Sequence, residues 1–150
     1  MIRKAKEGDL KGLIKVYKEV FKVHHVFEKS EEEIEQYLKQ FLGNILIAEE
    51  DGKVVAGLVI VKKGYTNWSL FNFKHVAVAE DYQRKGVGSE LLKEAEKIAG
   101  KGKIEIRVAK DAEAEWAVPF YEKNGYEKEG ELKSHYRKGE TCFVMGKVLE

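Results

Sequence analysis

Apolar residues recur along the chain with two different periods, and the switches between them divide it into elements. Leu10, Leu13, Ile14, Val16, Tyr17, Val20 and Phe21 follow the spacing of one helix face, with Asp9 placed to cap its start. Ser30 followed by Glu33 is a capping box, predicting a second helix that carries Ile34, Tyr37, Leu38, Phe41 and Leu42 on one side and ends at Gly43. Residues 1–5 read as a short strand. Two further apolar runs, 45–48 and 54–61, flank Asp51-Gly52, the pair that most favours a tight hairpin turn.

A third long strand is predicted over 68–79, and its alternation contains a fault. Phe71 and Phe73 put the apolar face on odd positions, whereas Val76 and Val78 put it on even ones. Strand side chains repeat every two residues, so the change of parity requires an extra residue, a β-bulge near Lys74-His75. Beyond Gly88, Leu91, Leu92, Ala95, Ile98 and Ala99 define a helix ending at Gly100 or Gly102, followed by a strand over 103–109. A short helix over 119–124 keeps Pro119 in its first turn, with Gly125 closing it. Residues 126–132 and 141–149 read as the last two strands. The order β-α-α-β-β-β-α-β-α-β-β predicts one domain over 1–150, a mixed sheet flanked by helices with one β-α-β crossover.

Composition narrows the setting more than the activity. With 43% hydrophobic residues in 150, the chain can bury an ordinary core without disulfide or metal staples. Lys and Arg number 27 against 26 Asp and Glu, so no global field draws the protein to nucleic acid or an anionic membrane. The charged fraction of 35% exceeds the usual quarter or so and suggests the ion-pair networks of a thermostable protein. Cys142 is the single cysteine, and no Cys/His cluster has zinc-ligand spacing. No apolar stretch is long enough to span a bilayer, and the charged N-terminus lacks a signal-peptide core, so a soluble cytoplasmic protein is expected.

One local feature speaks to chemistry. Gly86-x-Gly88 alone is weak, since about 0.7 such pairs arise by chance in a chain of this length. Its context is a strand, then Gln83-Arg84-Lys85, then the start of an amphipathic helix. A helix N-terminus offers unpaired N-H groups and a positive dipole end, and glycines let a bulky anion come close. A phosphate cradle fits; so does a solvated glycine-rich turn. The Gly-Lys-Ser/Thr of a P-loop is absent, and Leu91 stands where a dinucleotide fingerprint needs its third glycine.

Val76-Ala77-Val78 to Asp81-Tyr82-Gln83-Arg84-Lys85-Gly86-Val87-Gly88-Ser89-Glu90-Leu91-Leu92 resembles the central motif of the GCN5-related N-acetyltransferases (GNAT). Ala117-x-x-Phe120-Tyr121-Glu122-Lys123-x-Gly125-Tyr126 is similar to their later helix-strand motif, and the element order matches that fold over nearly the whole chain. The resemblance implies a mixed, largely antiparallel sheet of about seven strands with a central, splayed parallel pair, flanked by about four helices. It implies acetyl transfer from acetyl-CoA to a primary amine, of a small molecule or a protein, through a ternary complex. Backbone groups of Val76, Ala77 and Val78 would pair with the pantetheine arm. Gln83, Arg84, Lys85, Gly86, Val87, Gly88 and Ser89 would hold the pyrophosphate, chiefly through backbone amides.

Tyr121 occupies the position that serves many family members as general acid. A phenol near pKa 10 protonating a thiolate whose acid is near 8.5 is uphill by only about 2 kcal/mol, so the step is feasible. The general base has three candidates. Asn72 stands where some relatives carry a glutamate and cannot take a proton; Glu105 matches a glutamate that other relatives carry in a similar Glu-x-Arg sequence. His75 at the bulge has a suitable natural pKa, and a water chain could replace both. Ala114 replaces an asparagine that relatives often use on the cofactor, within a segment longer than usual.

The acceptor is expected near His24, His25, Phe27, Tyr65, Trp68, His135 and Tyr136, without individual roles. A catalytically silent acyl-CoA-binding module of the same fold is the alternative to an enzyme. The expected partners are acetyl-CoA and an amine, without nucleic acid or membrane, and a homodimer is among the assemblies the resemblance allows.

Overall fold

The computed structural model describes residues 1–22, 26–64, 66–110, 114–135 and 137–150. Seven strands and four α-helices follow one another in the predicted order. The strands form one mixed sheet, β1-β2-β3-β4-β5-β7-β6, and the chain divides into two compact units.

The first unit comprises Met1–Val61 and Lys74–Ile98. Strand β1 (Ile2–Lys4) pairs antiparallel with β2 (Ile45–Glu50), and β2 with β3 (Lys53–Lys63). The β2–β3 turn has positive φ at both Asp51 (53°) and Gly52 (76°), the conformation that Asp-Gly favours. Helix α1 (Leu10–Val20) buries Leu10, Leu13, Ile14, Val16 and Tyr17, the predicted face. Asp9 does not cap it. Its carboxylate instead accepts from Lys6 N (2.7 Å) and from both Arg3 guanidinium nitrogens (2.7 and 2.9 Å). A turn of 3-10 helix, Glu7–Asp9, precedes α1, so Asp9 already has helical φ/ψ and its side chain reaches back to the start of that turn.

Helix α2 (Glu31–Lys39) starts on the predicted cap, where Ser30 Oγ accepts from Glu33 N at 3.2 Å. It is shorter than its apolar pattern. Phe41 N and Leu42 N bond three residues back, to Leu38 O and Lys39 O, and Gly43 at φ 105° closes the turn, leaving Leu42 exposed. The core of this unit joins α1 and α2 to β2, β3 and Ala77, with Tyr17, Phe21 and Phe27 stacked at its centre.

The second unit comprises Lys62–Phe73 and Ala99–Glu150. Here β4 (Leu70–Val78) runs parallel to β5 (Gly102–Ala109) through Leu70↔Lys103, Phe71↔Ile104 and Asn72↔Glu105. The close start of that pairing explains Gly102, which is not a helix terminator. A Cβ there would collide with the carbonyl of Ser69, the group that accepts from Lys103 N at 2.9 Å. Helix α3 (Val87–Ala99) ends instead at Gly100, φ 80°.

Strand β7 (Cys142–Leu149) lies between β5 and β6 (Glu127–Leu132), antiparallel to both. Helix α4 (Ala114–Lys123) is longer than predicted, and Pro119 sits inside it rather than in its first turn. Proline removes only the bond to the carbonyl of Glu115, near the helix start, and Pro119 itself is exposed; the buried Ala117 and Tyr121 hold the turn on either side.

Candidate functional site

In the first unit, strand β4 leads into the glycine-containing loop through a second 3-10 turn, Glu80–Tyr82. His75 has φ 54°, in the left-handed region, at the place where side-chain parity demanded an extra residue. Its ring is edge-on to Phe27 (5.0 Å), Tyr37 (5.6 Å) and Tyr17 (5.9 Å), and Nε2 lies 2.7 Å from the Tyr37 hydroxyl. Burial raises the pKa of Tyr37 and, far more, of Tyr17, so both rings stay neutral here.

Beyond this break, Val76 and Ala77 are buried and Val78 is half-buried. The Gln83 side chain donates to Val78 O at 2.8 Å, tying the loop back onto the strand it leaves. Arg84 (φ 63°) and Gly86 (φ 85°) are both left-handed, with Lys85 between them. Such alternation turns successive N-H groups toward one concavity, a nest for an anion. Glu90 N to Gly86 O (3.0 Å) is the first bond of the α3 ladder, so the amides of Val87, Gly88 and Ser89 lie ahead of it. Arg84, Lys85 and Gly86 are exposed, whereas Gly88 is buried in the first helical turn.

The second unit holds the two acid-base candidates. Tyr121 is 3% exposed, against Phe120 (5.2 Å) and Tyr126 (5.9 Å), and its carbonyl accepts from Asn124 N and Tyr126 N, both at 3.0 Å. Those two bonds turn the chain from α4 into β6 through Gly125. Glu105 lies on the opposite face of β5 from the buried Ile104 and Ile106, and Arg107 Nε donates to it at 3.0 Å. Arg107 Nη1 is in turn 3.0 Å from His135 Nε2.

Asn72, 8% exposed, is the register partner of Glu105 in the parallel pair and so shares its face. Its Oδ1 is buried with no hydrogen-bond partner among the described residues. Sequence reasoning ruled Asn72 out as a base but gave no sign of this orphaned acceptor, because satisfaction of a side chain depends on its neighbours in space.

Of the residues expected around an acceptor, His24, His25, Tyr65 and Tyr136 lie outside the described residues, as does 111–113 in the long segment before α4. Phe27 is core, 2% exposed; Trp68 is half-exposed and His135 exposed. Among the described residues no group of His, Cys, Asp and Glu is suited to a metal, and no helix is long and apolar enough to cross a membrane.

Residues 42–128, which include β4, the loop, β5 and α4, match the acetyltransferase (GNAT) domain family. The chain belongs to the GNAT acetyltransferase family. It therefore moves an acetyl group from acetyl-CoA to an amine. A GNAT relative, an N-alpha-acetyltransferase of Saccharolobus solfataricus, is 27% identical over 99% of this chain and 92% of its own. Another N-alpha-acetyltransferase, from Sulfurisphaera tokodaii, is 29% identical over 76% of this chain and 74% of its own. Solved GNAT structures share the fold from end to end. Ard1 from Thermoplasma volcanium has a TM-score of 0.80 at 19% identity, covering 100% of this chain and 97% of that one. Arabidopsis thaliana Naa50, in complex with the bisubstrate analogue CoA-Ac-MVNAL, has a TM-score of 0.81 at 17% identity, covering 99% and 98%.

Proposed function

We propose that this GNAT enzyme acetylates the α-amino group at the N-terminus of proteins. The observation that carries the reading is the match to an N-alpha-acetyltransferase along 99% of the chain. The family match runs through residues of both units, which supports reading 1–150 as one acetyltransferase domain.

The donor is held by the loop. Backbone amides from Arg84 to Ser89 take the pyrophosphate of acetyl-CoA, with Gln83 bracing the loop and Arg84 and Lys85 adding screened attraction. The pantetheine arm pairs with the backbone of Val76, Ala77 and Val78. The acceptor amine, once neutral, attacks the thioester carbonyl carbon; the C–S bond breaks as the oxyanion collapses, and the thiolate leaves.

Two residues manage the protons. Glu105 takes the proton from the amine, directly or through a water, and Tyr121 gives one to the departing sulfur. Glu105 is favoured over His75 because it lies at a half-open strand face, paired to Arg107, whereas the His75 ring is packed among three aromatic rings and engaged by Tyr37. The Oδ1 of Asn72, buried without a hydrogen-bond partner among the described residues and on the same face as Glu105, supplies an acceptor for such a water.

The test is a panel of peptides with a free N-terminus, the same peptides blocked at the N-terminus but carrying lysine, and small amines, with CoA release as readout. Turnover confined to free N-termini is expected; turnover only of small amines or lysine overturns the acceptor. Saturable acetyl-CoA binding without turnover of any amine would instead mark a silent module.

A cytoplasmic, thermostable protein is part of the same proposal, supported by the buried Cys142, the single cysteine of the sequence, and the Arg3-Asp9-Glu49 ion network. Light scattering decides between a monomer and a homodimer.

A further inference from the structure

The geometry points to a second anion subsite beside the loop, in which Lys53 and Lys85, gathered around Tyr82, bind the 3'-phosphate on the ribose of acetyl-CoA. This rests on the reading that the loop amides hold the donor's pyrophosphate. Tyr82 ends the 3-10 turn immediately before Gln83, fixed by Tyr82 N to Ala79 O at 2.9 Å. The ammonium of Lys85, from the loop, lies 5.5 Å from the centre of its ring, and that of Lys53, from the start of β3, lies 5.4 Å from it. The ring's own hydroxyl is turned to Asp51 Oδ2 at a long 3.5 Å.

Among the described residues, Lys53, Arg84 and Lys85 enter no ion pair, and so keep their charge for a ligand. In a protein of net charge +1, three cationic side chains against the one Asp51 carboxylate at the Tyr82 ring leave an excess of positive charge beside the nest of backbone amides. The amides are neutral donors directed into one concavity and suit one diphosphate. A second phosphate, a few bonds away on the same ribose and carrying nearly two charges, needs point cations outside that concavity. Lysine ammoniums held on an aromatic ring supply them with part of their freedom already lost. Lys53 is the first residue of β3, so the β2–β3 turn sets its ammonium over the Tyr82 ring.

The experiment measures binding of CoA and of 3'-dephospho-CoA by calorimetry at low ionic strength, for the natural protein, Lys53→Ala, Lys53→Arg and Gly86→Val. The natural protein is expected to prefer CoA by about tenfold, Lys53→Ala to shrink that ratio to about twofold, and Lys53→Arg to restore most of it. Equal affinity of the natural protein for the two ligands overturns the subsite, as does a ratio unchanged in Lys53→Ala. Gly86→Val reports separately on the loop. If it leaves both affinities intact, the pyrophosphate reading fails whatever the Lys53 ratio shows. Thermal melts of each variant verify that the ratios refer to folded protein.

Discussion

The Tyr37 hydroxyl lies 2.7 Å from Nε2 of His75, and so helix α2 holds the one left-handed residue of strand β4. A non-glycine residue at positive φ persists only where its surroundings over-determine it. Tyr37→Phe keeps the ring and removes the bond. It is expected to cost about 1 kcal/mol of stability in a denaturant melt and to raise the KM for acetyl-CoA, since Val76 follows directly. An unchanged KM would mean that the break in β4 stands without this contact.

Gly86 at φ 85° has nothing within 4 Å of where a Cβ would lie, so it is conformation and not space that disfavours a side chain there. Gly86→Ala should lower stability by only about 1–2 kcal/mol while distorting the nest. The KM for acetyl-CoA is expected to rise well beyond what that small loss of stability implies, measured by steady-state kinetics.

Tyr121→Phe and Glu105→Gln remove the proposed acid and base without changing shape. Each should reduce kcat by about 100-fold or more while the KM for acetyl-CoA moves only a few-fold. A Glu105→Gln variant that keeps its kcat while His75→Ala loses it would reverse the assignment of the base.

Tyr17 is fully buried with a hydroxyl that has no partner among the described residues, and burial raises its pKa. The folded chain therefore keeps a proton that the unfolded chain releases above about pH 10, so stability is present below that pH and falls as pH rises beyond it. Tyr17→Phe should match or exceed the natural stability at pH 8, by up to about 1 kcal/mol, and lose less between pH 8 and 11. Urea titrations at the two pH values check this.

Asp9 shows the opposite sign. The hydrogen bonds from Arg3 hold its carboxyl below the ordinary range. Its contribution is complete above about pH 4, the unfolded value, and is lost as pH falls through the lower folded one. The melting temperature of Asp9→Asn should thus trail the natural protein at pH 7, and the gap should close in acid.

Local signals in the sequence were read well where a single residue type answers a backbone demand. Asp51-Gly52 made the predicted turn, Ser30 capped α2, and the parity fault at 74–75 marked the left-handed His75. Errors came where a second segment decides. Asp9 looked like a helix cap, but Arg3 and Lys6 claim its carboxylate. Gly102 looked like a terminator, but the approach of Ser69 is what requires glycine there, and Pro119 was assigned to a first turn because proline is best tolerated there, whereas the buried Ala117 and Tyr121 carry the helix across it.

By itself, the sequence determined the order of elements, the glycine loop and the family likeness, since these depend on period, capping and spacing within short stretches of chain. Only the tertiary structure decided which groups meet. It set Glu105 beside Asn72, enclosed His75 with Tyr37, and brought Lys53 to the ring of Tyr82. Those relations join residues distant in the chain. Burial, charge pairing and hydrogen-bond satisfaction are properties of neighbours in space, and no local pattern encodes them.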